Sequence, residues 1–501
     1  MDGNNVLFDN TNTQQKPEQV PVQAPTPVAP QAPMPPQAVP EQPVLQQVGF
    51  SEQVPVEPTP PPPPARGGFF KKLMIGAIVV VVVIFLIFLL IPKDKNVKNV
   101  TLVWWGLWED DSGVMQALIA DFRKTHPNID IEYSRRDSQQ YRDFLVGRLS
   151  GNDKGVKKPD VFRYHNTWLP MFRDSLVPLP SDVITTEEFK KNYYPVMQSD
   201  LVENGAIYGI PLGTDCLALI TNKKLFEAAG LQPPKNWIEF LNAAKKLTVV
   251  DENGKVTTAG AAMGTMSNVT HAPDIISLLL SVQGVDLKTF SGSNYSKAQA
   301  FTYYLSFAKK EQNLWNSSLD ESKLAFAKGN LAMYIGFSWD IFDIKKLNKN
   351  IELEVNPMPE LNKDAKGTIA SYWVEGVSSK SLHKKEAFEF MHYLAQKETE
   401  QKFYTEAAKK RGFGEPYARV DLAESLKDDK IVYPFVSQMK NARSSYFASN
   451  TRDGDGGLNT SLNVYLSKAI DSIVIDNVGM ETMLENLDAG IKQVFAKYGV
   501  Q

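Results

Sequence analysis

The sequence predicts an α/β protein with doubly wound sheets, preceded by a disordered tail and a single apolar span. Three observations carry that expectation. Beyond residue 97 about 400 residues remain, enough for two lobes with their own cores. From Val100 onward, short apolar strand-like runs alternate with segments of helical spacing, as in parallel sheets with crossover helices. Ahead of them, Leu73–Ile91 runs nineteen residues without a charge.

The chain opens on a proline-rich stretch. Residues 1–68 hold 17 of the 32 prolines, with Pro60–Pro64 as an unbroken run. Proline removes backbone donors and favours extended polyproline II, so this tail cannot build a packed core. It reads as a solvated spacer or as a docking site for a proline-binding partner.

The apolar run lies in a predicted transmembrane anchor at 69–92. At about 1.5 Å rise per residue it matches the ~30 Å hydrocarbon core of a bilayer. It begins too late and is too long for a cleaved signal peptide, and Pro92-Lys93-Asp94-Lys95 offers no small-residue cleavage site. No cysteine lies nearby to carry a lipid. Three basic residues stand on each side (Arg66, Lys71 and Lys72; Lys93, Lys95 and Lys98), so flanking charge does not orient the span.

After the linker, Val100–Trp105 reads as a buried strand and Val114–Lys124 as a helix capped by Asp111 or Ser112. Asn128–Tyr133 alternates as a strand, Tyr141–Leu149 is helical, and Asp160–Tyr164 is a third strand. In such sheets ligands gather at the carboxyl ends of strands. Those ends read Trp105 to Asp111, then Arg135-Arg136-Asp137, then His165-Asn166-Thr167-Trp168. Two more extended pieces, Ile207–Leu212 and Cys216–Thr221, flank a break at Gly213-Thr214-Asp215. A short helix then ends at Gly230, and Asn236 caps the next, through Lys246.

These stretches resemble, in order, the family 1 extracellular solute-binding proteins, the maltose-binding-protein-like receptors of ABC importers. Asn204–Pro211 is similar to the family's G-x-x-Y-G-[IV]-P segment, Thr221–Phe226 to Y-N-K-x-L-F, and Gly230–Phe240 to G-L-x-x-P-P-x-T-W-x-E-F. Ala325–Met333 resembles A-F-x-x-G-x-A-A-M, and Ser379–Gln396 resembles S-K-x-K-E-A-A-W-E-F-L-K-F-L. Two features depart from the family: the uncleaved anchor with its tail, and a loose match at Lys410–Pro416.

The resemblance implies a two-lobe periplasmic-binding-protein-like fold, its sheets joined by a hinge that closes over a solute. Lobe 1 would span 97–212 and lobe 2 would span 216–366. The chain would return to lobe 1 over 373–411, and 434–501 would pack on lobe 2 as C-terminal helices, after a last crossing around Arg411–Pro434. It further implies ABC importer permease subunits as partners, and hence a cytoplasmic N-terminus with the binding domain outside the cell membrane.

The expected ligand is a small solute, foremost a sugar or oligosaccharide. Aromatic faces pair with the C–H faces of a sugar while carboxylates and amides take its hydroxyls. On that chemistry the expected ligand-binding residues are Trp105, Trp108, Asp110, Asn166, Trp168, Asp215, Trp339, Trp373 and Glu375. Trp104, Trp237 and Trp315 read as core, and Tyr465 as a weaker candidate. A ligand-sensing or adhesive module on the same fold is the alternative.

Other chemistries are not indicated. A net charge of −3 does not suit a nucleic-acid binder, and one cysteine excludes an internal disulfide framework. The five histidines fall in no metal-site or catalytic spacing. Counted from Asp453, a calcium loop would need glycine where Leu458 stands and glutamate where Val464 stands. No cofactor, no metal, no enzymatic activity and a monomer are therefore expected.

Overall fold

The computed structural model describes residues 99–500, apart from 109–112, 152–156 and 363–364. The proline-rich tail, the Leu73–Ile91 span and Asp110 lie outside the described residues. Among the described residues no helix is long and apolar enough to cross a membrane.

Lobe one is built on a six-stranded sheet in the order Ile129–Arg135, Val100–Gly106, Val161–His165, Trp373–Ser378, Leu176–Val177, with Ile210–Pro211 also on Trp373–Ser378. The first three strands are parallel, as their alternation with helices predicts. The sheet is nevertheless mixed: Trp373–Ser378 runs antiparallel to its neighbours. It enters from the other lobe and not through a crossover helix, so the right-handed βαβ rule does not govern it. The helix Val114–Thr125 buries Val114, Met115, Leu118, Ile119 and Phe122, the 3.6-period stripe of its sequence. Gly113, at φ 75°, stands at its N-cap position, and the expected caps Asp111 and Ser112 lie outside the described residues.

Lobe two carries a five-stranded sheet, Leu353–Asn356, Ala218–Asn222, Leu331–Gly336, Val256–Ala261, Val249–Val250. Only Leu331–Gly336 and Val256–Ala261 pair in parallel, so this sheet too departs from the doubly wound expectation. Asn236 caps the helix Trp237–Leu247 by accepting the Glu239 N–H at 2.9 Å, and Gly230 ends the preceding helix at φ 62°. Trp104, Trp237 and Trp315 are core. The C-terminal helices Leu458–Val474 and Met480–Tyr498 pack on each other, and Asp488 pairs with Lys297 of the lobe-two helix Asn294–Ser306 at 2.9 Å. Tyr465 donates to Gln493 within that pair of helices. Asp453 accepts N–H groups of Asn459 and Thr460, so the glycine-rich loop serves a helix start.

Three stretches of chain lie side by side where the lobes meet. Cys216 bridges to Ala370, the Leu217 N–H reaches Ile369 O at 3.0 Å, and the Ser371 N–H reaches Asp215 O at 3.0 Å. On the other side Thr368–Ile369 pairs in parallel with Ala442–Arg443. Gly213 passes so close to the 415–416 segment that an added Cβ would lie 2.6 Å from that of Glu415, which requires glycine there.

Candidate functional site

The cleft beside this hinge holds two adjoining cavities of about 240 and 300 Å³. Both are lined by Trp339, from the lobe-two helix Ser338–Leu347, by Trp373, which opens the antiparallel strand of lobe one, and by Ser371 between the lobes. The inner cavity adds Arg163, Asp215, Tyr372, Phe403 and Glu415. The outer one adds His165, Lys323, Asp343 and the loop Asn450–Arg452. Two residues of that loop, Asn450 and Arg452, hold positive φ (60° and 51°), a conformation the surrounding structure must impose.

Both tryptophans are half-buried and held from behind. Trp373 meets Trp168 and His165 edge-on at 5.4 and 5.2 Å. Trp339 stacks on Phe337 at 4.3 Å. Such rings lose little freedom when a ligand covers them, which suits apolar sugar faces.

Buried charge backs each wall. In lobe one, Arg163 Nε donates to Glu375 Oε1 at 2.6 Å and Trp104 Nε1 donates to Oε2 at 2.7 Å. Burial works against the Arg163 charge, and the Glu375 carboxylate outweighs it, raising the guanidinium's pKa. In lobe two, His271 Nε2 lies 2.7 Å from Asp340, which Lys323 also approaches at 3.4 Å. Burial opposes the imidazolium, but the Asp340 charge prevails and the His271 pKa rises. His165, buried without such a partner, is pushed down to about 3 and stays neutral.

The structure therefore divides the sequence candidates. Trp339, Trp373 and Asp215 line the cavities. Asp215 is already engaged: its carboxylate accepts the Ser338 N–H at 2.9 Å and the Ser338 hydroxyl, and burial pushes its pKa well up. Asn166 spends its amide inside the hinge, donating to Asp200 and Ser444 and accepting from the Tyr372 N–H. Trp168 is fully buried behind Trp373 and donates to Asn459 at 3.1 Å. Glu375 is buried in its ion pair, one layer beneath the cleft. Trp105 is buried under the Arg136 guanidinium, 3.8 Å away, and Arg411 covers Trp108 at 4.4 Å. Asn166, Trp168, Glu375 and Trp105 thus line neither cavity in this structure and pack behind the cleft as supports. The cleft residues missed in the sequence are chiefly Arg163, Phe403, Glu415, Lys323 and Asn450–Arg452. Arg163 sits inside a strand whose run, VFRYH, is wholly buried, so only its charge among apolar neighbours marked it out.

A separate cavity of about 520 Å³ shares no residue with the cleft. It lies between Pro195–Ser199 of lobe one and Gly284–Lys288 of lobe two, against Ala442–Ser444. No aromatic ring lines it, so the cleft is the better candidate for a sugar. Lys288 pairs with Asp200 across the lobes at 3.0 Å there.

Comparison with known proteins places this architecture. A binding protein of Brucella abortus is 24% identical over 264 residues, covering 52% of this chain and 64% of the relative. The chain therefore matches just under two thirds of that relative's length. The maltotriose-binding protein of Pyrococcus abyssi is 20% identical over 354 residues, covering 68% and 72%. The GacH receptor of Streptomyces glaucescens, solved unliganded and with acarbose, superposes with a TM-score of 0.60 at 20% identity, over 80% of this chain and 99% of that one. The similarity at this identity is one of fold, two α/β lobes about a cleft. The sequence profile of bacterial extracellular solute-binding proteins matches residues 105–401, more than half of the chain, and the protein belongs to that family.

Proposed function

We propose that this protein is a membrane-anchored receptor outside the cytoplasm that closes its lobes over a sugar or oligosaccharide and delivers it to an ABC importer. The observation that carries the reading is the pair Trp339 and Trp373, half-buried rings from different lobes lining one continuous cleft. Between them lie Ser371, Arg163 and Glu415, groups that offer hydroxyls both donors and acceptors. The names of relatives such as the maltotriose-binding protein and the Streptococcus mutans multiple sugar-binding protein agree with a sugar. The uncharged Leu73–Ile91 run supports a tether that holds the receptor near its permease at high effective concentration. A permease outside contact requires the N-terminus to lie in the cytoplasm.

The 68-residue proline-rich stretch favours a second reading, in which ligand binding is reported through the anchor to a partner of the tail. One experiment weighs both. The purified full-length protein in detergent is heated with mono- and oligosaccharides, sugar phosphates, amino acids and polyamines. A ligand at a hundredfold excess over its Kd stabilises the folded form by about 2.7 kcal/mol. A glycan hit that disappears in Trp339→Ala supports the receptor. Silence across the panel from folded protein sinks the sugar reading and turns attention to the tail.

A further inference from the structure

On one flank of the inner cavity the two lobes meet through aromatic rings with a cation between them. Arg411 ends the lobe-one helix Lys397–Arg411, and its guanidinium carbon lies 4.4 Å from the ring centre of Trp108 and 4.9 Å from that of Phe342. Trp108 follows the first strand of lobe one, whereas Phe342 stands on the lobe-two helix Ser338–Leu347. Phe342 stacks on Phe413 at 4.2 Å, and Trp108 meets Phe403 edge-on at 5.3 Å. The guanidinium is held in place: Nε donates to Phe413 O at 3.1 Å, and a terminal nitrogen pairs with Glu415 at 2.9 Å. Phe403 and Glu415 are themselves walls of the inner cavity.

A guanidinium attracts the faces of both rings it lies against, and its planar shape lets it touch two at once. This wall therefore exists only while both lobes contribute to it. In the other direction, past Trp339 and Trp373, the inner cavity continues into the outer one.

We propose that Arg411 is a specificity-determining residue: by joining Trp108 to Phe342 it closes this flank, so that a glycan must present a chain end to Glu415 and can lengthen only past Trp339 and Trp373. The end-on selection rests on the sugar-receptor reading; the joining of the lobes does not. The residue positions the walls and so limits the ligand's shape.

Two measurements on the full-length protein in detergent separate these claims. The first needs no ligand. Spin labels at Lys190→Cys in lobe one and Lys245→Cys in lobe two, both exposed, report the separation of the lobes, with the native Cys216 buried. Arg411→Ala and Phe342→Ala should each lengthen it, and the double variant should go no further than either single one. Arg411→Lys, which keeps the charge without the plane, should fall between. An unchanged separation in both single variants overturns the proposal, whatever the protein binds. The second uses linear maltohexaose and its cyclic six-unit counterpart, which has no chain end. Wild type should prefer the linear form by about tenfold or more, and Arg411→Ala should narrow that preference to about threefold or less. Equal uptake of the two by wild type overturns end-on selection. Binding of neither sinks the sugar reading in its glucan form, and the lobe separation still decides the role of Arg411.

Discussion

Behind the lobe-one wall of the cleft lies an arginine that keeps its charge at every ordinary pH, paired with Glu375; behind the lobe-two wall lies a histidine paired with Asp340. The first pair is sealed between two antiparallel strands of the mixed sheet, where Glu375 stands directly opposite Arg163, and touches the cavity only through Arg163. The second reaches outward: His271 Nδ1 lies 3.0 Å from the Ser449 hydroxyl and 3.1 Å from the Asn450 amide, at the root of the loop that lines the outer cavity. One wall is a fixed floor, and the other couples its buried charge to a loop that a ligand would touch. Two lobes of one fold thus support their rings by chemically different means.

The comparison breaks most decisively at Glu375. Glu375→Ala leaves the Arg163 guanidinium buried without its carboxylate, which should cost about 3–5 kcal/mol of stability in chemical denaturation. A loss below about 1 kcal/mol would mean that Arg163 turns into the cavity and rehydrates, so that the floor is not fixed. Next come the rings themselves. Trp339→Ala and Trp373→Ala should each weaken binding of the panel's best ligand about thirtyfold, or about 2 kcal/mol, by calorimetric titration. Trp168→Ala should instead lower the melting temperature; an equal affinity loss there would merge support and contact into one class.

A third test sharpens the contrast in charge. The His271 pKa is raised on folding, so its stabilisation is complete below the unfolded value of about 6.5 and fades as pH rises through the folded value. Each unit of elevation is worth about 1.4 kcal/mol. Burial opposes the Asp340 charge, but His271 and Lys323 prevail and hold its pKa low, so its own contribution is lost only in acid. Between pH 6 and pH 9 wild type should therefore lose stability with a slope that His271→Asn reduces, the remainder coming from Asp215 and from Glu400, whose carboxyl burial pushes up to about 8, while Glu375→Gln leaves the His271 share in place. A slope unchanged by His271→Asn assigns it wholly to those carboxyls. The smallest effect is expected across the hinge, at Lys288. This side chain is about a third exposed, and Lys288→Ala should cost no more than about 1 kcal/mol in thermal unfolding, since a partly exposed ion pair is screened.

Much of the architecture could be read from periodicity. The strand Val100–Gly106 and the helix Val114–Thr125 lie within a residue or two of the expected bounds, because one buried face imposes a strict spacing. Strand direction at Trp373–Ser378 could not be read, since its partner Val161–His165 lies some two hundred residues earlier and no local pattern encodes pairing. At the site the limit was chemical. Asparagine and carboxylates that could hold sugar hydroxyls are equally able to satisfy buried polar groups, and Asn166, Asp215 and Glu375 do so here. A tryptophan beside a strand carries no sign of which way its ring faces: Trp373, opening its strand, lines the cleft, whereas Trp168, just past the end of another, lies behind it.

The threefold passage of chain between the lobes also bears on how the molecule breaks. A protease cut in the stretch around Gly213, in that around Thr368, or in that before Ala442 would sever one connection and leave two, with Thr368–Ile369 still zipped to Ala442–Arg443 in the first case. Such nicked protein should run as fragments in denaturant yet migrate as one particle in native buffer. Damage would then show first in the stiffness of the joint, as a change in how the cleft opens, before any loss of mass.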